Sequence, residues 1–385
     1  MPPSRRRVLA TLGGTVTLSG CSGLAGTTGN GSLDATGTAT PEPPAATPTG
    51  GWTGARHDAA NTSHAPVTGP SAPSLVWRRN LAGRPLPRDD VVLVGGRGAV
   101  RALDPEDGRD RWATELGTDE QVRTPAVADG RVIALTEDGT LGALDAADGS
   151  VAWTVAHDGF GGTPAVVGGL VVAAVGGVIR AYGLADGTER WRHEPQQGRA
   201  ATVGIRDRDC YVAVAGPEPA LKRLTTGGAE RWRRSIVPAR PVVGRDAVYV
   251  SQGGDQAPTG LYALDRTTGE QRWERPLGSL ASPAVTGNRL FLSHGGGETV
   301  ALDAATGETV WTAPTATLYG EPVTADAARV YGPGEHSRTV RALSRTDGTP
   351  EWHVDVGFDP DHVTVTGDAV YVAGDGWIAR LTDRE

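Results

Sequence analysis

Cysteine is scarce in this chain of 385 residues: there are two, Cys21 and Cys210. No framework of several disulfides can be built from them. Lysine is scarcer still, with Lys222 alone among 37 basic residues, and the formal net charge is -8. Affinity for nucleic acid rests on clustered basic side chains, so a nucleic-acid partner is not expected. Arginine taken almost always over lysine points to a G+C-rich coding sequence and a salt-adapted acidic surface. Long apolar runs are missing too. The uncharged stretch Ala10 to Ser19 falls short of the roughly 20 apolar residues that span a bilayer, which leaves no permanent transmembrane helix to expect. Histidines are scattered: His57, His64, His294 and His336 form no His-x-x-x-His spacing, and no Ser-His-Asp order can be read from them. No catalytic residue is assigned.

Glycine and proline are plentiful, with 55 and 27 residues, about a fifth of the chain. That is turn-rich without being low in complexity, and it favours many short strands in one long all-β unit over two ordinary domains.

The N-terminus reads as an export signal over residues 1–20. Arg5, Arg6 and Arg7 with Val8-Leu9 resemble a twin-arginine signal, the uncharged stretch follows, and Leu18-Ser19-Gly20-Cys21 looks like a lipobox. Cys21 is then the expected lipid attachment site. This places the protein outside the cell, held on the outer face of the membrane. A lipidated Cys21 leaves Cys210 unpaired, and the alternating segment Asp209 to Val214 makes Cys210 a buried packing thiol rather than a nucleophile. Residues 21–50, nearly all Gly, Thr, Ala, Ser and Pro, cannot bury enough apolar surface to fold and read as a tether. Residues 51–74 read as an ordered strap ahead of the repeats.

From residue 75 onward the chain repeats. Seven glycines, Gly108, Gly149, Gly187, Gly228, Gly269, Gly307 and Gly348, each lie four residues before a tryptophan: Trp112, Trp153, Trp191, Trp232, Trp273, Trp311 and Trp352. Counting Trp77, successive tryptophans stand 35 to 41 residues apart, a period that suits one four-stranded propeller blade. Within a unit, Asp129-Gly130, Asp138-Gly139 and Asp148-Gly149 divide four apolar-rich runs, and Asp-Gly is favoured in tight hairpins. The acid eight residues before the tryptophan, as Asp104, Asp145, Asp265 and Asp303, gives way to Gly183 and Ser344 elsewhere. A group that can be dispensed with unit by unit is a turn cap, not a catalyst. Each tryptophan is expected between neighbouring blades, where burying about 150–250 Å² at about 25 cal/mol/Å² is worth roughly 4–6 kcal/mol before entropy.

The last unit, from Val363 to Leu381, lacks its tryptophan strand, and Leu75-Val76-Trp77 lacks the strands before it. Joined, they complete an eighth blade. The expected fold is an eight-bladed β-propeller over residues 75–385, closed by pairing its first strand with its last blade, so that few strand edges are exposed.

The motif Leu/Tyr-Asp-x-x-x-Gly-x-x-x-Trp resembles the repeat of pyrroloquinoline-quinone-like propellers. Two kinds of function follow from the resemblance: quinone-dependent alcohol or sugar dehydrogenases, and a non-enzymatic lipoprotein of outer-membrane barrel assembly. The chain is more like the second, for it has no adjacent cysteines to stack on a quinone, and no calcium-ligating Glu and Asn with a nearby catalytic Asp can be matched. The expectation is a monomeric binding or scaffolding module with a protein partner, without cofactor or metal. A dehydrogenase using the quinone (PQQ) and calcium is the alternative, and a sugar- or peptide-binding receptor using the central funnel is a third reading.

Loops between second and third strands share one face with the connections between blades. They lengthen at residues 216–220, 253–260 and 332–338, which marks that face for a partner. Arg123, His157, Arg199, Tyr319 and Asp361 are its candidate ligand residues, with Arg240 and Glu321 nearby in the pattern. Asp359, Asp361 and His362 carry metal-ligating donors, though a solvated polar loop accounts for them better.

Overall fold

Asp129 and Gly130 both adopt positive φ, 48° and 71°. This is the two-residue turn whose twist matches a hairpin, and it joins Ala126–Ala128 to Arg131–Leu135 with Ala128 opposite Arg131. Local chemistry of this kind, repeated, makes the molecule. The computed structural model describes residues 51–384 apart from 89, 255–256, 278–281, 295–296, 315–321 and 335–337, all within the compact unit Pro48–Glu385. The export signal with Arg5, Arg6 and Arg7, the lipobox with Cys21, the tether, and Tyr319, Glu321 and His336 lie outside the described residues.

Every sheet is antiparallel with four strands, and there are eight of them. In chain order the blades occupy residues 85–115, 126–155, 165–193, 199–234, 242–276, 284–314, 324–355 and, for blade 8, 362–383 with 73–80. Blade 8 is the expected split blade. Its outermost strand, Pro73–Asn80, pairs with Trp377–Asp383 in the register Leu75 to Leu381 and Asn80 to Trp377.

Burial follows position within a blade. Second strands such as Arg329–Pro333 are buried throughout, whereas outer strands such as Pro350–Asp355 alternate between exposed and half-buried. The reason is that second and third strands are covered on both faces by neighbouring blades and so need near-continuous apolar runs. The buried apolar residues form eight clusters, one per blade interface. Cys210 sits in the cluster between blades 3 and 4. The cluster that closes the ring packs Tyr371 and Ile378 against Val92 and Leu103.

Tryptophans and repeat glycines join these interfaces. The ring of Trp112 lies where a Cβ on Gly149 would fall, 2.5 Å away, and the same relation holds from Trp77 and Gly108 to Trp311 and Gly348. The indole N–H of each of the eight repeat tryptophans donates to a carbonyl outside its own blade's sheet, beginning with Trp77 to Pro105 and Trp112 to Ala146. A buried N–H without such an acceptor costs about 1–3 kcal/mol. Where an acid heads the turn it accepts from a backbone N–H two residues on, Asp104 from Glu106, Asp145 from Ala147, Asp265 from Thr267 and Asp303 from Ala305.

Residues 52–67 run round the inside of the ring. Backbone bonds tie Trp52 to Pro87, Thr53 to Val127, Ala59 to Ile205, Ala60 to Val243, Thr62 to Val285 and Ser63 to Ala325. The Trp52 indole reaches Val365 in blade 8 at 2.8 Å. Seven of the eight innermost strands are thereby held by one segment, near their C-terminal ends. One expectation needs correcting: most of the presumed loop 253–260 is strand, because Ala247–Gly254 and Ala257–Asp265 stay paired out to Gly254 and Ala257.

Candidate functional site

Each innermost strand begins with a short lead-in, and in six blades its second residue is proline: Arg84-Pro85, Thr124-Pro125, Thr163-Pro164, Arg240-Pro241, Ser282-Pro283 and Glu321-Pro322. Proline holds the residue before it in an extended conformation. In blades 1, 2, 3, 5 and 6 the ring therefore delivers that residue to the end of the central channel opposite the strap's backbone bonds. By strand register His362 occupies this place in blade 8, with Asp361 one residue before it where blade 2 has Arg123, and Thr202 occupies it in blade 4.

Two adjoining cavities open there. One, of about 940 Å³ including its mouth, is lined by Arg84, Arg123, Thr124, Thr163, Arg240 and Asp361. The other, of about 640 Å³, is lined by Arg84, Arg240, Ser282 and His362, with Arg56 and Ser63 supplied by the strap. Arg84 and Arg240 belong to blades 1 and 5, on opposite sides of an eightfold ring, yet both line both cavities.

The electrostatics of this mouth are cationic in an otherwise acidic chain. Arg56 donates from Nε to Ser63 Oγ at 2.8 Å and from Nη2 to the Ser282 and Pro283 carbonyls at 2.9 Å. Burial lowers its pKa to about 9, with repulsion from Arg240 and Arg84 adding to the effect and Asp58 opposing it. Arg240 falls to about 10, first through burial and then through Arg84 and Arg123. His362 is held well below its ordinary value by burial, then by Arg84, Arg56 and Arg240, so its imidazole is neutral. Loss of solvent raises the Asp361 carboxyl, with Arg84 pulling the other way. Arg123 is already paired, with Glu137 at 3.1 Å and with the Phe160 ring 4.6 Å from its guanidinium carbon. Among the described residues, no carboxylate lies within ion-pair distance of Arg84 or Arg240.

The candidate residues read from the sequence divide. Arg123 and Asp361 reach the mouth. His157 does not line it: its Nε2 is hydrogen-bonded with the Tyr182 hydroxyl. Arg199 pairs through its backbone with Ala215 and packs beside Gly177. Asp359, Asp361 and His362 do not act together, since an Asp359 oxygen accepts from the Arg338 N–H while His362 is buried and edge-on to Trp52. The solvated-loop reading is corrected at His362, which is 5% exposed because blade 8 turns it inward under the strap. Arg84 and Arg56 were missed; the repeated Arg-Pro ahead of two inner strands was the available signal. Cys210 is a free buried thiol, raised to about 12 by desolvation and then by Asp209.

These residues do not suit the calcium ion that such a quinone would need for its chemistry. Among the described residues no three His, Cys, Asp or Glu side chains gather as metal ligands, and the mouth carries arginines where a calcium ion needs oxygen donors.

The family model described as outer membrane protein assembly factor BamB matches residues 67–207, 175–276 and 219–337, a span without a break from 67 to 337. An outer membrane protein assembly factor BamB from Moranella endobia is 28% identical over 244 residues, which cover 54% of this chain and 61% of that protein. Across the curated assembly factors matched, the chain spans 45% to 65% of their length. Among solved structures, BamB from Moraxella catarrhalis superposes with a TM-score of 0.64 at 19% identity, covering 82% of this chain and 98% of the other. A quinohemoprotein alcohol dehydrogenase from Pseudomonas putida gives 0.71 at 14% identity, covering 87% and 80%, which is a likeness of fold alone. With its repeat register, its eight closed blades and a family match running through most of them, the chain belongs to the pyrroloquinoline-quinone-like propeller family described as outer membrane protein assembly factor BamB.

Proposed function

We propose that this propeller is a protein-binding scaffold of the cell envelope, exported and held at the outer face of the membrane by a lipid on Cys21, and that it works without a catalytic centre or cofactor. The observation that carries the reading is the make-up of one face. Strand directions alternate within a blade, so the loops between second and third strands emerge beside the connections between blades. There the blade 5 hairpin extends from Ala247 to Asp265. Next to it a groove is lined by Pro217, Pro219, Ile236 and Val237, and Val237 is 37% and Phe160 58% exposed. Exposed apolar side chains set in a polar rim are the usual anchors of a protein interface. The outer-membrane assembly role named for the relatives is one form such scaffolding takes.

The test is photocrosslinking from a reactive residue placed at Val237, with Arg109 on the opposite face as the control. A discrete adduct from Val237 alone is expected, weakened at least tenfold by Phe160→Asp. Equal yields from both positions would count against the reading. The dehydrogenase alternative is tested by titrating the protein with quinone and calcium: calcium-dependent binding with dye-linked alcohol oxidation would replace the scaffold reading, and neither calcium-dependent binding nor oxidation is expected at tens of micromolar quinone.

A further inference from the structure

We propose that the channel mouth is a binding site for a small oligo-anion, a molecule with two or more carboxylate or phosphate groups, clamped between Arg84 and Arg240 above Arg56. The inference stands independently of the scaffold reading, because it concerns the channel and not the rim.

Many arginines elsewhere on this propeller meet acids. Arg79 meets Asp110 at 2.6 Å, Arg111 meets Asp90 at 2.7 Å, Arg272 meets Asp265 at 2.7 Å and Arg329 meets Glu351 at 2.5 Å. With a net charge of -8, acids are the commoner partners available. Others, such as Arg206 and Arg234, direct their guanidinium groups singly to carbonyls; at the mouth, among the described residues, several arginines without an acid face one space. Arg84 and Arg240 come from opposite blades into shared cavities, and among the described residues neither has an acid at ion-pair distance. Arg56 adds a third guanidinium, hydrogen-bonded to the neutral oxygens of Ser63, Ser282 and Pro283.

Like charges brought together raise one another's energy, the more so where one of them, Arg56, is buried. Burial first, and the neighbouring guanidinium groups second, lower Arg56 and Arg240. An anion placed between them relieves it and accepts charge-assisted hydrogen bonds, with guanidinium forks matching carboxylate or phosphate oxygens. Neutral side chains complete the wall: Thr124, Thr163 and Ser282 offer hydroxyls. Asp361, on the blade 8 side, gives the site a polarity. It repels an anion there and accepts from a hydroxyl, which favours a hydroxylated polycarboxylate lying toward blades 1 and 5. Asp58 weakens the floor's charge only in part, since its oxygens accept from the Thr62 N–H and hydroxyl.

Isothermal titration of the propeller (residues 51–385) with citrate, inorganic pyrophosphate and acetate, at matched low ionic strength, tests the site. Citrate or pyrophosphate should bind at least tenfold more tightly than acetate, and the order of those two tells carboxylate from phosphate preference. Arg84→Ala and Arg240→Gln should each weaken that binding at least tenfold, whereas Arg109→Ala, on an exposed turn, should leave it unchanged. A second readout needs no variant: citrate should protect Arg84 and Arg240 from phenylglyoxal in the unsubstituted protein. Equal affinity for all three anions, undiminished binding by the Arg84 and Arg240 variants, or modification of these arginines at the same rate with and without citrate would each overturn the proposal.

Discussion

The indole N–H of Trp352 donates to the carbonyl of Pro70, 3.3 Å away, and this bond ties the seventh blade to the segment that leads into the first strand. At the other seven interfaces the acceptor belongs to the turn around a repeat glycine, as with Trp77 and Pro105 beside Gly108. Blade 8 has no such turn, because its outer strand comes from the other end of the chain. Pro70 fills the place, and Asp383 fastens it by accepting from the Ala72 N–H at 2.7 Å and the Ser71 N–H at 3.1 Å. The two ends of the propeller are thus joined by the same kind of contact that joins its repeats.

Removing residues 51–80 takes away the outer strand of blade 8, the acceptor for Trp352 and the strap that bonds seven inner strands. The expected result is loss of cooperative thermal unfolding in calorimetry, not merely a small shift, since an opened ring exposes a strand edge and an apolar interface together. A truncated protein that melts like the intact one would mean that closure rests on other contacts.

Gly149 and Gly130 separate two reasons for glycine. Both have positive φ, 74° and 71°, but a Cβ on Gly149 would lie 2.5 Å from the Trp112 ring, whereas one on Gly130 would meet nothing within 4 Å. Gly130→Ala should cost only the left-handed backbone penalty, about 1–2 kcal/mol. Gly149→Ala should cost more, by about 1–3 kcal/mol of overpacking, read from urea denaturation midpoints. Equal costs at the two sites would show that the tryptophan does not lock the turn.

That contact explains why the fold was legible. The four-residue offset from Gly108 to Trp112 marks both halves of the interface device within one stretch of sequence, and it recurs seven times. The mouth left no such trace. Arg84, Arg240 and His362 meet only because a ring of blades brings equivalent positions to one axis, and Arg56 reaches them from a strap that belongs to no repeat. Loop length misled at 253–260, where the residues continue a hairpin, and said nothing about His362 turning inward.

Cys210 is buried between blades 3 and 4, and desolvation raises its thiol to about 12. The thiolate is the reactive form, so Cys210 should resist a disulfide reagent such as dithionitrobenzoate in the folded protein and react fully in guanidinium. Rapid labelling under native conditions would place the thiol at the surface.

Changing Cys21 to serine tests the anchor. Cells expressing Cys21→Ser should release the protein into the soluble fraction, because the sulfur that takes the lipid is gone while the rest of the leader is kept. Membrane retention of this variant at the level of the unsubstituted protein would refute lipid attachment at Cys21.

Acid should weaken the propeller through its buried histidines. Burial, followed by the charges of His57 and Arg345, lowers His64 from 6.5 to about 4, with Asp58 and Asp326 opposing. His362 is held well below 6.5 by burial and by Arg84, Arg56 and Arg240. The folded protein keeps both neutral, whereas the unfolded chain protonates them near their ordinary value. Stability is therefore at its full level above about pH 6.5 and falls as the pH drops below that value, because the unfolded state then binds more protons. The fall due to His64 is complete below about pH 4, where both states are protonated, and His362 extends it further. His157 and His193 shift in the same direction. Melting temperatures measured from pH 7.5 down to about 4.5 stay above the range where carboxylates dominate. There the double variant His64→Gln, His362→Gln should lose clearly less stability than the unsubstituted protein. Parallel curves for the two proteins would locate the acid sensitivity elsewhere.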